Sequence, residues 1–267
     1  MKNDVKVGVE SEFFLLNSKG EAIIVPSGWD KDNFTVLGEI RGEPGRTAAE
    51  TIGNFYKRLH EVRMKVKLDH EMVMETMRVI KLKVYRKAMS DMNAADKYQA
   101  LNNIHNVNGT DIADFTDQIV KDGKIQGAKA SCGLHIHFSC MQSDEKTIKQ
   151  DIYAPVCLPI GVAGAETNLN LYRKTAADGE EKAKVSLSLL TRPAVEWIVQ
   201  EMDKAFFKKF QPPKEERTKY RQPGFYELKP YGFEYRSLPA TPDTMKAMPQ
   251  IVELAFDLLK TVCKTSW

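Results

Sequence analysis

No stretch of this chain approaches the roughly 18 consecutive apolar residues that span a bilayer, so a membrane-embedded helix is not expected. Charge of one sign is lacking too. The 39 basic and 36 acidic residues leave a formal net charge of +3, too balanced to call for a nucleic-acid or membrane partner. Cysteine is sparse: Cys132, Cys140, Cys157 and Cys263 have no zinc-ligand spacing and read as reduced thiols of a cytoplasmic protein. Internal repeats and low-complexity segments are missing, and Met1-Lys2-Asn3-Asp4 leads straight into a strand pattern with no room for a signal peptide. Neither Gly-x-Gly-x-x-Gly nor a Walker A loop is present, so any nucleotide has to be held by metals and side chains. What is present is a chain of 267 residues, 42% hydrophobic and 28% charged, enough to bury the core of one sizeable globular domain or two small ones.

Four segments carry the chemistry. Val5 to Leu16 alternates as a strand, and places Glu10 and Glu12 on one face; Asn17-Ser18-Lys19-Gly20 turns it towards a hairpin partner over Glu21 to Val25. Two like charges two positions apart repel each other unless a cation lies between them. Asp32 to Arg41 reads as a second strand, with Asp32 in the turn at its start and Glu39 and Arg41 sharing a face. In Cys132-Gly133-Leu134-His135-Ile136-His137-Phe138-Ser139 the two histidines face one way and Leu134, Ile136 and Phe138 the other. Tyr231 to Pro239 is the last such strand, with Glu234 and Arg236 on one side. Taken singly, each pattern also fits an ordinary solvated strand face or a cross-strand ion pair.

Between these segments the pattern changes. Thr47 to Ala88 has helical spacing at Ile52, Phe55, Leu59 and Val62, reading as one long or two shorter helices, with Met72, Met74 and Met77 filling core gaps. Ser90 to Gly109 is polar and irregular, which puts His105 in a loop. Ser143-Asp144-Glu145 reads as a cap for a helix carrying Ile148, Ile152 and Val156, interrupted by Pro155 and Pro159. Val162 to Asn170 reads as a short helix or loop, and Ala176 to Lys184 as an exposed segment. Thr191-Arg192-Pro193 opens a helix, Gln211 to Lys229 is a basic loop, and Thr241-Pro242-Asp243 opens a terminal helix.

If the four loaded strands lie in one antiparallel sheet, one face gathers glutamates, histidines and arginines, and cannot be a hydrophobic core. Carboxylate-rich ligation with an imidazole suits Mg²⁺ or Mn²⁺ better than zinc. Arginines beside carboxylate-held Mg²⁺ are what phosphoryl transfer requires.

In their order along the chain, Val7-Gly8-Val9-Glu10-Ser11-Glu12-Phe13, Asp32 seven residues before Glu39, Gly133-Leu134-His135-Ile136-His137 and Lys229-Pro230-Tyr231-Gly232-Phe233-Glu234-Tyr235-Arg236-Ser237-Leu238 resemble the glutamine synthetase and glutamate–cysteine ligase superfamily. The likeness is closest to its small phage-encoded carboxylate–amine ligases. It implies a single domain over 1–267, with an α+β fold whose curved antiparallel sheet forms a funnel-shaped site with helices on its outer face. ATP and Mg²⁺ (or Mn²⁺) are the implied cofactors.

By that resemblance Glu10, His135 and Glu234 would hold the metal nearest the ATP phosphates, and Glu12, Glu39 and Asp32 the metal nearest the acceptor carboxylate. Arg236, Glu39 and Arg41 form the implied catalytic set, Arg236 stabilising the phosphoryl group in flight. Arg217, Arg221 or Arg192 would contact phosphates, and His137 would bind nucleotide or support His135. The implied reaction makes an acyl phosphate from a carboxylate and ATP, which an amine then converts to an amide. Glutamate, a peptide C-terminus, a cell-wall peptide or a protein side chain all stay open as the carboxylate, as does a homo-oligomer. The location implied is cytoplasmic, the host cytoplasm for a phage enzyme. The sequence opens directly on the Glu-x-Glu strand, so the double-ring assembly built with glutamine synthetase's small N-terminal domain is not expected. Two other readings compete: a metal-dependent phosphoesterase or hydrolase that activates water, and a non-catalytic relic acting as a binding module.

Overall fold

The chain is described by a computed structural model over residues 3–92, 94, 105–107, 110–112, 118–147, 169–175, 181–188, 190–211, 222–229 and 231–265. In order, its elements are strands Asn3–Leu16 (β1) and Leu37–Arg41 (β2), helix Ala48–Lys65 (α1), strands Glu71–Val73 (β3) and Arg78–Lys81 (β4), and helix Leu82–Asp91 (α2). Strands His105–Val107 (β5), Thr110–Ile112 (β6), Gln118–Lys121 (β7), Lys124–Ala130 (β8), Gly133–Thr147 (β9), Leu169–Thr175 (β10) and Glu181–Ser188 (β11) follow. Helix Arg192–Met202 (α3) continues through a π-helical turn, Asp203–Phe207, and a last turn, Lys208–Phe210. Strands Tyr226–Lys229 (β12) and Gly232–Pro239 (β13) then lead to helix Pro242–Thr265 (α4).

The class is α+β, with antiparallel sheets and helices. An open eight-stranded sheet runs β10-β11-β9-β1-β2, with β3 added to β1, and with β13 pairing both β9 and β12. The strands alternate, so the sheet has two unlike faces. Val7, Val9, Leu134, Ile136, Phe138, Phe233 and Tyr235 point to one, where they join Ile251, Ala255, Phe256 and Leu259 in the core. The helix α4 covers that face, packing on β1, β9, α1 and α3. The opposite face carries the charged residues.

Helix starts follow the side-chain chemistry of their caps. Thr47 Oγ1 accepts from the backbone N–H of Glu50 at 3.2 Å, and Thr241 Oγ1 from that of Thr244 at 3.3 Å. Glycine is needed at Gly232, where φ is 151° and a Cβ would run into the Phe138 carbonyl oxygen. That close approach lets β13 lie against β9.

Several local expectations are corrected. The second strand begins at Leu37, and Asp32 sits in a turn where its Oδ1 accepts from the Phe34 N–H at 2.8 Å. The hairpin partner over Glu21 to Val25 is reduced to a single bridge, Leu16 to Ala22. Residues 71–81, expected to be helical, form β3 and β4, because β1 and β8 offer them open edges. His105 lies in β5, paired with β6, not in a loop. Ser143-Asp144-Glu145 caps no helix: β9 runs through it, its backbone paired with β11. Of Val162 to Asn170 and Ala176 to Lys184, only 169–170 and 181–184 are among the described residues, and they lie in β10 and β11; the basic loop ends early in β12. The expected helix over 148–156 lies outside the described residues. Cys140 and Cys263, expected as free thiols, are joined in a disulfide between β9 and α4, while Cys132 is buried and outside it. Cys157 lies outside the described residues. No helix among the described residues is long and apolar enough to cross a membrane.

Candidate metal centre

Strand register assembles the site. Along β1 and β9, Glu10 lies opposite His135, and Gly8 opposite His137. On the other side of β1, Glu10 meets Arg41 and Glu12 meets Glu39. Across β9, His137 meets Glu234 of β13, which in turn meets Glu227 of β12. The paired side chains share a face by period-two alternation, so residues up to 224 positions apart in number, such as Glu10 and Glu234, converge.

One ligand atom each from Glu10, His137 and Glu234 lies within 4.8 Å of the other two. His135 sits beneath them, 1% exposed, its Nδ1 3.2 Å from Glu10 Oε1 and 2.8 Å from Glu234 Oε1. His137 is held from the far side: its Nδ1 lies 2.7 Å from the Tyr231 hydroxyl, and its Nε2 3.7 Å from Glu10 Oε2. The imidazole exposed to the cavity is therefore His137, whereas the resemblance gave the ligand role to His135. Glu12 is also beneath the floor, 1% exposed, with Oε2 accepting from the Gly133 N–H at 2.6 Å.

Cations surround the carboxylates. Arg41 Nε lies 2.8 Å from Glu10 Oε2, and the same guanidinium pairs with Glu39. Arg236 bridges Glu227 at 2.5 Å and Glu234 at 3.3 Å. Lys229 Nζ lies 2.7 Å from Glu227 and 3.1 Å from Glu234.

The electrostatics separate two groups of carboxyls. Burial pushes Glu10 and Glu234 up, yet His135 and its neighbours outweigh it and hold both well below the usual carboxylate range. Burial would lower His135, but Glu234 and Glu12 win and raise it to about 9. Burial, then the charge of Glu10, pushes Glu39 up to about 8. Burial, then the charge of Glu12, pushes Asp32 up to about 6. In this second group burial and neighbouring carboxylates outweigh Arg41 and Arg236, the electrostatic condition an added cation relieves.

Glu10, Asp32, Glu39, Arg41, His137, Glu234 and Arg236 all line one open cavity of about 900 Å³. Arg192 lies elsewhere: it is exposed at the start of α3, 3.4 Å from Glu196. Arg217 and Arg221 lie outside the described residues. Glu227, Lys229, Tyr231 and Lys6 also line the cavity, and none had been given a role. The alternation Tyr226-Glu227-Leu228-Lys229 was a usable signal for the first two.

No family model, no curated protein and no solved structure matches this chain.

Proposed function

We propose that the protein is an ATP- and Mg²⁺-dependent (or Mn²⁺-dependent) ligase that joins a carboxylate to an amine. The observation that carries this reading is the convergence of Glu10, His137 and Glu234 in a cavity that Arg41 and Arg236 also line. Two carboxylates and one imidazole are a hard donor set that fits Mg²⁺ or Mn²⁺. When bound, such a cation neutralises phosphate oxygens and orients the transferring group. In this reading the polar face of the open sheet is the wall of a funnel.

The chain's own side chains supply the rest. Arg236, fixed by Glu227, presents positive charge where a phosphoryl group accumulates negative charge in flight. The substrate carboxylate oxygen attacks the γ-phosphorus of ATP and the bond to ADP breaks. The amine nitrogen then attacks the acyl carbon, the C–O bond to phosphate breaks, and the nitrogen loses a proton. Glu39, which lines the cavity beside Arg41, accepts that proton when its carboxyl is ionised. Arg41 pairs with both Glu39 and Glu10.

Hydroxylamine tests the reaction, because it intercepts an acyl phosphate as a hydroxamate. With ATP, Mg²⁺ and a panel of carboxylates (glutamate, peptides with a free C-terminus, acidic side chains), one member yields hydroxamate and ADP in equal amounts. Phosphate release that ignores both carboxylate and amine makes the protein a hydrolase. No ATP consumption with any member makes it a binding module.

A further inference from the structure

Strand β12 alternates Tyr226 and Leu228 with Glu227 and Lys229, so its two charged side chains face the cavity. Lys229 Nζ stands 2.7 Å from Glu227 Oε1 and 3.1 Å from Glu234 Oε2. Glu234 belongs to the candidate metal triad, so one of the three ligand side chains already carries a monovalent cation.

Glu234 has other positive neighbours, and they differ in freedom. His135 is buried between Glu10 and Glu234. Arg236 is clamped to Glu227 by a 2.5 Å hydrogen bond, and its backbone N–H donates to the Phe225 carbonyl. Lys229 is a point charge on a four-carbon stem, 26% exposed at the cavity wall, and rotatable. Burial would lower its amine, but Glu234 and Glu227 outweigh that and keep it protonated.

We propose that Lys229 is a built-in competitor for the metal, and that it couples metal binding to polyphosphate binding: when a divalent cation takes Glu234, the ammonium leaves Glu234 for an oxygen of the incoming polyphosphate. The inference rests on the ligase reading for its polyphosphate and on the metal triad for its competition. A divalent cation and an ammonium cannot share one carboxylate without repulsion, so the metal alone binds against Lys229. A metal–polyphosphate complex brings the displaced ammonium a new partner. Linkage then makes each ligand favour the other.

Calorimetric titration with Mn²⁺ alone, and with the Mn²⁺–tripolyphosphate complex, tests this on the intact chain. Lys229→Met and Lys229→Gln both remove the charge, the second keeping a polar end that can reach Glu227. Removing one close charge partner of the buried Glu234 carboxylate is expected to tighten Mn²⁺ alone about tenfold. The same variants are expected to bind the complex about tenfold more weakly, and Lys229→Arg to stay within about threefold of the unaltered protein in both titrations. Unchanged or weaker Mn²⁺ binding in both neutral variants overturns the inference and leaves the ligase reading standing. No Mn²⁺ binding by any form overturns the inference and the metal centre together. The expected Mn²⁺ pattern with no hydroxamate formed removes the ligase reading alone.

Discussion

Glu12 reaches from the first strand to the start of the histidine strand, where its Oε2 accepts a 2.6 Å hydrogen bond from the backbone N–H of Gly133. The carboxylate is 1% exposed, and its charge helps to raise Asp32 to about 6. Glu12→Ala orphans a buried N–H and is expected to cost about 1–3 kcal/mol in urea unfolding. Glu12→Gln keeps an acceptor oxygen for the Gly133 N–H but removes the charge that helps hold His135 protonated, so it still costs stability below about pH 9, and Asp32 titrates lower. Carbon-13 NMR of the Asp32 carboxyl reads that shift directly; an unmoved titration would detach Asp32 from Glu12.

Stability without metal should fall as pH rises from about 6 to 9. Glu39 is raised to about 8 and His135 to about 9, so both bind protons more tightly folded than unfolded. Each contribution is complete below the unfolded value, about 4.3 for Glu and about 6.5 for His, and is lost as pH climbs through the folded one. Glu10 and Glu234 are lowered, so their contribution has the opposite sign, present above about 4.3 and lost in acid. Melting temperatures measured in chelator between pH 6 and 9 check this, and a flat or rising profile would contradict the assignment.

Tyr231→Phe should weaken Mn²⁺ binding about tenfold while leaving the melting temperature within a few degrees. Its hydroxyl lies 2.7 Å from His137 Nδ1 and fixes which ring nitrogen faces the cavity. Equal Mn²⁺ affinity in the two proteins would mean that His137 needs no such support.

Gly232→Ala should destabilise the fold by about 1–3 kcal/mol. The residue has φ 151°, and a Cβ would meet the Phe138 carbonyl oxygen, so β13 must shift away from β9. Guanidinium unfolding measures the loss. A neutral substitution would place the β9–β13 contact elsewhere.

Much of the site was legible because a strand's period is two. Glu10 with Glu12, His135 with His137, and Glu234 with Arg236 each share a face by counting alone, and pairing sets them side by side. Depth within the site was not legible. Alternation puts His135 and His137 on the same face, and only packing buries the first beneath Glu10 and Glu234 while Tyr231 holds the second at the cavity. Local signals also lost to long-range pairing. Ser143-Asp144-Glu145 looks like a helix cap, but β11 takes its backbone as strand. Residues 71–81 have helix-forming composition, but β1 and β8 claim them. Glu227 and Lys229 carried a weak signal, the alternation of Tyr226–Lys229, but Pro223-Gly224 and Pro230 flank that run of four and made it read as part of the basic loop. The disulfide joins cysteines 123 positions apart, which spacing along the chain does not reveal.

The most direct measurement is a Mn²⁺ titration followed by electron paramagnetic resonance on the unaltered protein, Glu10→Gln and Glu234→Gln. Converging ligands predict saturable Mn²⁺ binding that either substitution weakens by at least about tenfold, in chains that still fold. Mn²⁺ that fails to bind the unaltered protein, or binds all three alike, would contradict a metal centre built from these strands.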